Sequence, residues 1–289
     1  MGRKLRLMAR FYGVAGEFSQ PGEAGRMERF QTGESESGNG ASSGPEFRFE
    51  DAVIQKLSAE IIRRARLLKT DLENAAGECL DLGSEAAYLR VIKVLTLRLS
   101  ALYTAYDEYL DAVLKSGSSP VKCRPSCPSC CSHYVTSVEP LELLYLDHHL
   151  KARSDYSDFI VRLYERTTAY RRVFKSSEGE LAEDRALHRY FMLNRACPFL
   201  TKSGDCGVRE FRPVSCRMFF SYSDPKWCHG RQILNAKNQN FHVGMPDEAE
   251  VLLAEASALL ASKKISEHLF DGLLQVNELF GKYPSSPTS

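Results

Sequence analysis

From Phe49 onward, apolar side chains return at steps of three and four residues. Val53, Ile54, Leu57, Ile61, Ala65 and Leu68 fall on one helical face, which predicts an amphipathic helix. A second run starts at Ser84, a suitable N-cap. It carries Tyr88, Ile92, Leu95, Leu99, Leu102, Tyr106, Tyr109 and Val113 down one side and stops at Gly117, so one long helix is expected, closing a hairpin over 49–117. Helix resumes after Ser137, read as an N-cap with Pro140 in the first turn, and Leu141, Leu144, Tyr145 and His148 follow at helical spacing. Further helical patterns cover about 156–175, 178–193, 247–262 and 264–281.

The interruptions matter as much as the helices. Residues 1–48 are rich in Gly, Ser, Glu and Arg, and Gly33 to Gly44 is almost free of apolar side chains, so a disordered leader is expected. Between Ser116 and Thr136, Gly, three prolines and four cysteines rule out a regular element, and 194–245 is again loop-rich. The resulting organisation is a leader (1–48), a helical hairpin (49–117), a cysteine-cluster module (118–232), C-terminal helices (233–284) and a frayed tail (285–289). The fold class expected is mainly α: a helical body with a cysteine-rich, loop-rich metal-binding insertion and short extended pieces near Tyr134 and Phe219. No internal repeat is visible.

Composition narrows the functional classes. The chain is 43% hydrophobic, enough for a core, and 38 Lys plus Arg oppose 37 Asp plus Glu, leaving no long-range pull toward nucleic acid or acidic membranes. No uncharged apolar run reaches the length of a membrane span. Arg3, Lys4, Arg6 and Arg10 precede the first acid, Glu17, but Arg10 interrupts the apolar core that an export signal needs, and Met27 offers an internal start. A cytoplasmic protein is therefore expected.

Eight of the nine cysteines lie between Cys123 and Cys228. In a reducing compartment such density favours metal ligation over a disulfide framework. The first group is Cys123-Arg-Pro-Ser-Cys127-Pro-Ser-Cys130-Cys131, in which Cys127 and Cys130 have the C-x2-C spacing that closes two thiolates on one metal. Cys130 and Cys131 are neighbours whose side chains are expected to diverge, so they are not expected to share one mononuclear ion. The second group is Cys197, Cys206, Cys216 and Cys228, with 8, 9 and 11 residues between successive members. Eight thiolates suffice for two four-ligand sites, for an iron–sulfur cluster plus a zinc, or for one site with spare cysteines. Cys79 stands alone at a helix end, where packing explains it. His133 and His229 are lesser ligand candidates, and Arg212 and Arg217, flanking Cys216, are candidates to donate hydrogen bonds to the sulfur ligands and offset their charge.

These residues resemble the zinc- or iron-chelating cysteine-cluster family, the YkgJ family, which includes the flagellin lysine N-methylase FliB. Its opening pattern, CxxCxxCC or CxxxCxxCC before a short extended piece and an acidic helix start, is similar to Cys123 through Cys131, Tyr134-Val135-Thr136 and Glu139. Its closing pattern is similar to Cys197-Pro198-Phe199-Leu200, Cys206 and Arg212-Pro213-Val214-Ser215-Cys216-Arg217. The resemblance covers about 115–230 and implies a metal-binding module holding zinc or an iron–sulfur cluster. Through FliB it also implies a second reading, methyl transfer from S-adenosylmethionine to a protein lysine with an iron–sulfur centre.

Against that reading, no Gly-rich strand-to-helix turn and no paired catalytic His and carboxylate stand out. Nor is the C-x3-C-x2-C run of radical S-adenosylmethionine enzymes expected here, the four thiols of 123–131 being read as including an additional adjacent cysteine and a different order. A third reading is a metal- or redox-responsive adaptor whose flanking helices meet a protein partner. Whether the chain is an enzyme stays open at the level of sequence.

Overall fold

The computed structural model describes residues 47–76, 84–124, 126–179, 181–232, 237–260 and 263–283. The expected leader up to residue 46, Cys79 and the tail beyond 283 lie outside the described residues. The chain is mainly α-helical, with a single two-stranded pairing among the described residues.

Helix α1, Ala52–Ala76, buries Ile54, Ile61, Ala65, Leu68 and Leu72. Val53, expected on the same face, is 61% exposed. The buried stripe begins one residue later, at Ile54, and the Asp51 carboxylate caps the first turn by accepting the Val53 N–H at 2.8 Å. Helix α2, Glu85–Val94, starts where expected, with the Ser84 side chain accepting the Ala87 N–H. The single long helix expected here is divided. A π-turn, Leu95–Leu99, separates α2 from α3, Ser100–Ser116. The wider turn resets the helical phase, so Leu95 and Leu99 stay buried and Leu102, Tyr103 and Tyr106 follow them into the core.

Helix α4, Pro140–Lys151, begins at Glu139 rather than at Ser137. Glu139 and Glu142 form a reciprocal capping box that satisfies two amides at once, and a box outcompetes a lone serine two residues upstream. Ser137 takes a positive φ of 58°, and its carbonyl accepts the Ser215 hydroxyl at 2.7 Å. Leu141, Leu143, Leu144, Leu146 and Leu150 are all buried, so α4 is enclosed on every side.

Helices α5, Tyr156–Lys175, and α6, Ala182–Met192, follow, then a single turn, α7, Val214–Arg217. Strand β1, Phe219–Ser221, pairs antiparallel with β2, Asn240–His242, with Phe220 opposite Phe241. This is the extended piece expected near Phe219. The one expected near Tyr134 forms no strand; it docks by Leu269 N–H to Val135 O and Val138 N–H to Glu267 O, both 2.9 Å. Helices α8, Asp247–Ala258, and α9, Leu269–Phe280, complete the body.

Packing ties distant segments together. Helix α1 lies along α3 and α8, and α9 along both α4 and α5, with α6 beside α5. One apolar cluster therefore runs from Ile54 to Tyr283. Among the described residues, no helix is long and apolar enough to cross a membrane.

Candidate metal centre

The two loop-rich stretches that carry the cysteines meet on one side of this helical body. Cys123 to Cys131 lies between α3 and α4, and Cys197 to Cys228 between α6 and β2. Ser126, held at a positive φ of 62°, donates from Oγ to Asp205 Oδ1 at 2.7 Å, and a Cβ on Gly204 would come within 3.2 Å of its carbonyl. The turn Ser129–Ser132 packs on the turn Pro225–Cys228, where Ser129 Oγ donates to Pro225 O at 3.3 Å. The Lys122 N–H reaches Ser221 O at 2.8 Å, tying the first loop to β1. All eight thiols from Cys123 to Cys228 are free.

Each cysteine is set by local chemistry. Cys197 and Cys206 sit on a tight hairpin: Leu200 and Cys206 form an antiparallel bridge, Thr201 N–H reaches Asp205 O, and Gly207 N–H reaches Phe199 O, both at 2.8 Å. Gly207 is needed there, since a Cβ would stand 3.0 Å from Phe199 O. Cys216 rides on α7, whose first amide, Val214 N–H, is held at 2.9 Å by the buried Glu142 carboxylate. Tyr103 donates to the same oxygen at 2.8 Å, so one carboxylate locks α3, α4 and the Cys216 turn together. Burial pushes the Glu142 carboxyl up from its ordinary range while these donors hold it down.

The thiols sense one another. Burial pushes Cys197 up to about 12, with the Phe199 amide and the Arg166 guanidinium opposing the rise and Cys206 and Cys130 adding to it. Cys216 is also raised by burial and then by Cys197, Cys206 and Cys130, with Arg212 opposing. Cys123 is an exposed residue whose thiol is nonetheless crowded by protein, rising to about 11; the Ser221 amide opposes, and Cys130, Cys127 and Cys228 add. Cys228 is raised by burial and by Cys127 and Cys130, while the Ser221 and Ser223 hydroxyls stabilise its thiolate.

Cys130 and Cys131 were expected to diverge. On the tight turn Ser129–Ser132 the two thiols come near enough to interact, and Cys131 is the largest cause of the raised Cys130. Backbone direction sets only where each Cβ points, and side-chain rotation swings the two sulfurs together.

The two arginines separate in role. Arg212 lies within electrostatic reach of both Cys216 and Cys130, and its Nε is buried with no hydrogen-bond partner. Arg217 does not serve the thiols. Its side chain is 1% exposed, packs over the Tyr103 ring, pairs with Asp107 and donates to the carbonyls of Arg209, Glu210 and Arg212. It is an anchor for the loop before α7.

Sequence reasoning missed Arg166. It is 4% exposed on α5, its Nη1 bonds Arg195 O, and its Nε and Nη2 are buried without partners. The signal was present, since Phe159, Leu163, Arg166 and Tyr170 form one buried stripe in which an arginine is out of place.

The two histidine candidates stand in different surroundings. His133 stacks on Phe191 with centroids 3.7 Å apart, and burial followed by the nearby His242 depresses it to about 3. His229 is exposed at the end of the Pro225–Cys228 turn.

Soft thiolate donors and unpaired buried guanidinium nitrogens fit an anionic metal–thiolate group. As they stand, no three His, Cys, Asp or Glu among the described residues are close enough to hold a metal ion. Binding therefore requires the thiols to lose their protons and turn inward.

Comparison with protein-family models found no match, and comparisons with curated proteins and with solved structures found none either.

Proposed function

We propose that this chain is a metal-binding protein whose two groups of cysteines grip zinc or an iron–sulfur cluster, as its resemblance to the YkgJ family implies. The observation that carries this reading is that the two cysteine-bearing stretches, all eight of whose thiols are free, are tied to each other by Ser126 to Asp205 and Ser129 to Pro225, beside arginines with unpaired buried nitrogens. A four-thiolate centre is anionic, and the buried, unpaired nitrogens of Arg166 and Arg212 would offset that charge. A bound structural zinc contributes about 10–16 kcal/mol, comparable with the about 5–15 kcal/mol stability of a whole domain. Free thiols at this density belong in a reducing compartment, which favours the cytoplasm.

The test is anaerobic purification with metal analysis and a visible spectrum. We expect at least one equivalent of zinc or iron per chain and a lower melting temperature after chelation. Less than one equivalent with unchanged melting overturns the reading.

One observation favours the methyltransferase reading. Cys123, Cys127 and Cys130 do keep the C-x3-C-x2-C spacing within their longer run. The same metal-binding unit would then act beside S-adenosylmethionine, and calorimetric titration with that compound decides whether it binds.

A further inference from the structure

We propose that the exposed face of α5 joins two copies of this chain, which meet there about a two-fold axis with their α5 helices antiparallel. The contact needs no metal and is independent of the metal-binding reading.

Exposed apolar side chains gather on one part of the molecule. Nine large hydrophobic side chains are exposed among the described residues, and six of them, Val161, Tyr164, Phe174, Leu181, Met192 and Leu193, belong to α5, α6 or the residues bordering α6. Scattered singly, such residues need no explanation; gathered together, they mark a contact surface. Val161, 59% exposed, and Tyr164, 63% exposed, line an open groove of about 550 Å³ along α5, together with Glu165, Thr168, Arg172 and Arg195.

The order of charges along the helix selects the occupant. Val161, Glu165, Thr168, Arg172 and Lys175 recur at steps of three and four residues, so with Tyr164 they share one face. The other side of α5 buries Phe159, Leu163, Arg166 and Tyr170. On the outer face acid precedes base: Glu165 comes before Thr168, and Arg172 and Lys175 come after it. None of these three charges enters an ion pair among the described residues, although neighbouring Arg171 is taken by Asp271 at 2.7 Å. The partial charge at the helix end accounts for Arg172 and Lys175 in the last turn, but Glu165 stands mid-helix, beyond its reach.

Such a face is complementary to itself in one orientation. Glu165 and Arg172 lie three and four residues to either side of Thr168. Two α5 helices laid antiparallel with Thr168 at the axis set each Glu165 against the second copy's Arg172, whereas a parallel pairing sets acid against acid and base against base. Thr168 and Ala169 are small enough at the crossing for the helix axes to approach to about 8–10 Å. The same alignment lays Tyr164 and Val161 on the methylene stems of the second copy's Arg172 and Lys175, which takes their apolar surface out of water. A different partner would have to match this succession of acid and base by design; a second copy matches it by symmetry.

The test is sedimentation of the full-length chain under reducing conditions, so that its free thiols cannot cross-link copies. We expect a reversible dimer at concentrations up to about 0.1 mM. Glu165→Arg and Arg172→Glu each bring like charges together twice per dimer, and each is expected to weaken dimerisation at least about tenfold. The double variant Glu165→Arg/Arg172→Glu is expected to return to within about threefold of the wild type. A chain that stays monomeric throughout leaves the face to some other partner and overturns the proposal. A dimer that neither single variant weakens uses another surface and overturns it too. Weakening by both single variants with no recovery in the double variant overturns the antiparallel pairing on which the proposal stands. Should a variant fail to fold, amide exchange of the wild type at low and high concentration decides alone: protection gained over 160–172 is expected, and its absence is fatal.

Discussion

A single buried arginine shows how far a residue's neighbours in sequence can mislead. Arg217 adjoins Cys216, yet its guanidinium points away to Asp107 at 2.5 Å and to the carbonyls of Glu210 at 2.7 Å and Arg212 at 2.9 Å. Asp107 is 52% exposed, so its charge stays hydrated if the arginine is removed. The carbonyls have no such recourse, because the side chain that serves them is buried. We expect Arg217→Ala to cost about 3 kcal/mol of stability by chemical denaturation, with bound metal per folded chain unchanged. Lys should recover less than half of the loss, since one ammonium cannot replace a planar fork of donors. Arg166 is the reverse case. It lies some 30 residues from the nearest candidate ligand, and only its place on an apolar stripe marks it. Sequence spacing points to candidate ligands that lie close together along the chain, but not to charges brought to them by folding.

Periodicity exposed most of the helices because each buries one face, and α5, expected over 156–175, occupies Tyr156–Lys175. It did not expose the π-turn at Leu95–Leu99, because a one-residue phase shift leaves both flanking stripes apolar. The start of α4 was placed two residues early because Ser is the better N-cap in isolation, and only the Glu139–Glu142 reciprocity reverses that preference.

Close approach of elements was also invisible in the pattern. Gly272, in the first turn of α9, lets that helix settle on α4: a Cβ there would stand 2.4 Å from Leu143 Cδ1 and 2.4 Å from Ser266 O. The backbone carbonyl cannot move aside without unseating the helix. We expect Gly272→Ala to destabilise the chain by about 2 kcal/mol, despite the better helix propensity of alanine, read as a fall in the denaturation midpoint. No change, or a gain, would show that α9 rides further from α4 than this packing requires.

At the scale of the molecule, the helical body and the cysteine loops are held by different forces. The body has a continuous apolar core from α1 to α9. The loops have short turns, a two-stranded pairing and polar ties such as Ser126 to Asp205, each contributing about 1 kcal/mol. Burial pushes the Cys123 thiol up to about 11 and Cys197 up to about 12 and raises Cys216 and Cys228 as well, so without metal these four add packing but no ionic bonds. Bound metal would reverse that balance by displacing the protons and linking two distant stretches of chain through short ligand bonds. Removing it should therefore loosen the loops well before the helices. We expect limited proteolysis of the chelated chain to cut within 118–132 and 194–232 at least about tenfold faster than the metal-loaded chain, while the far-ultraviolet helical signal falls only slightly. Equal cleavage rates, or loss of helix in step with loss of metal, would mean that the cysteine loops and the helical body stand or fall as one cooperative unit.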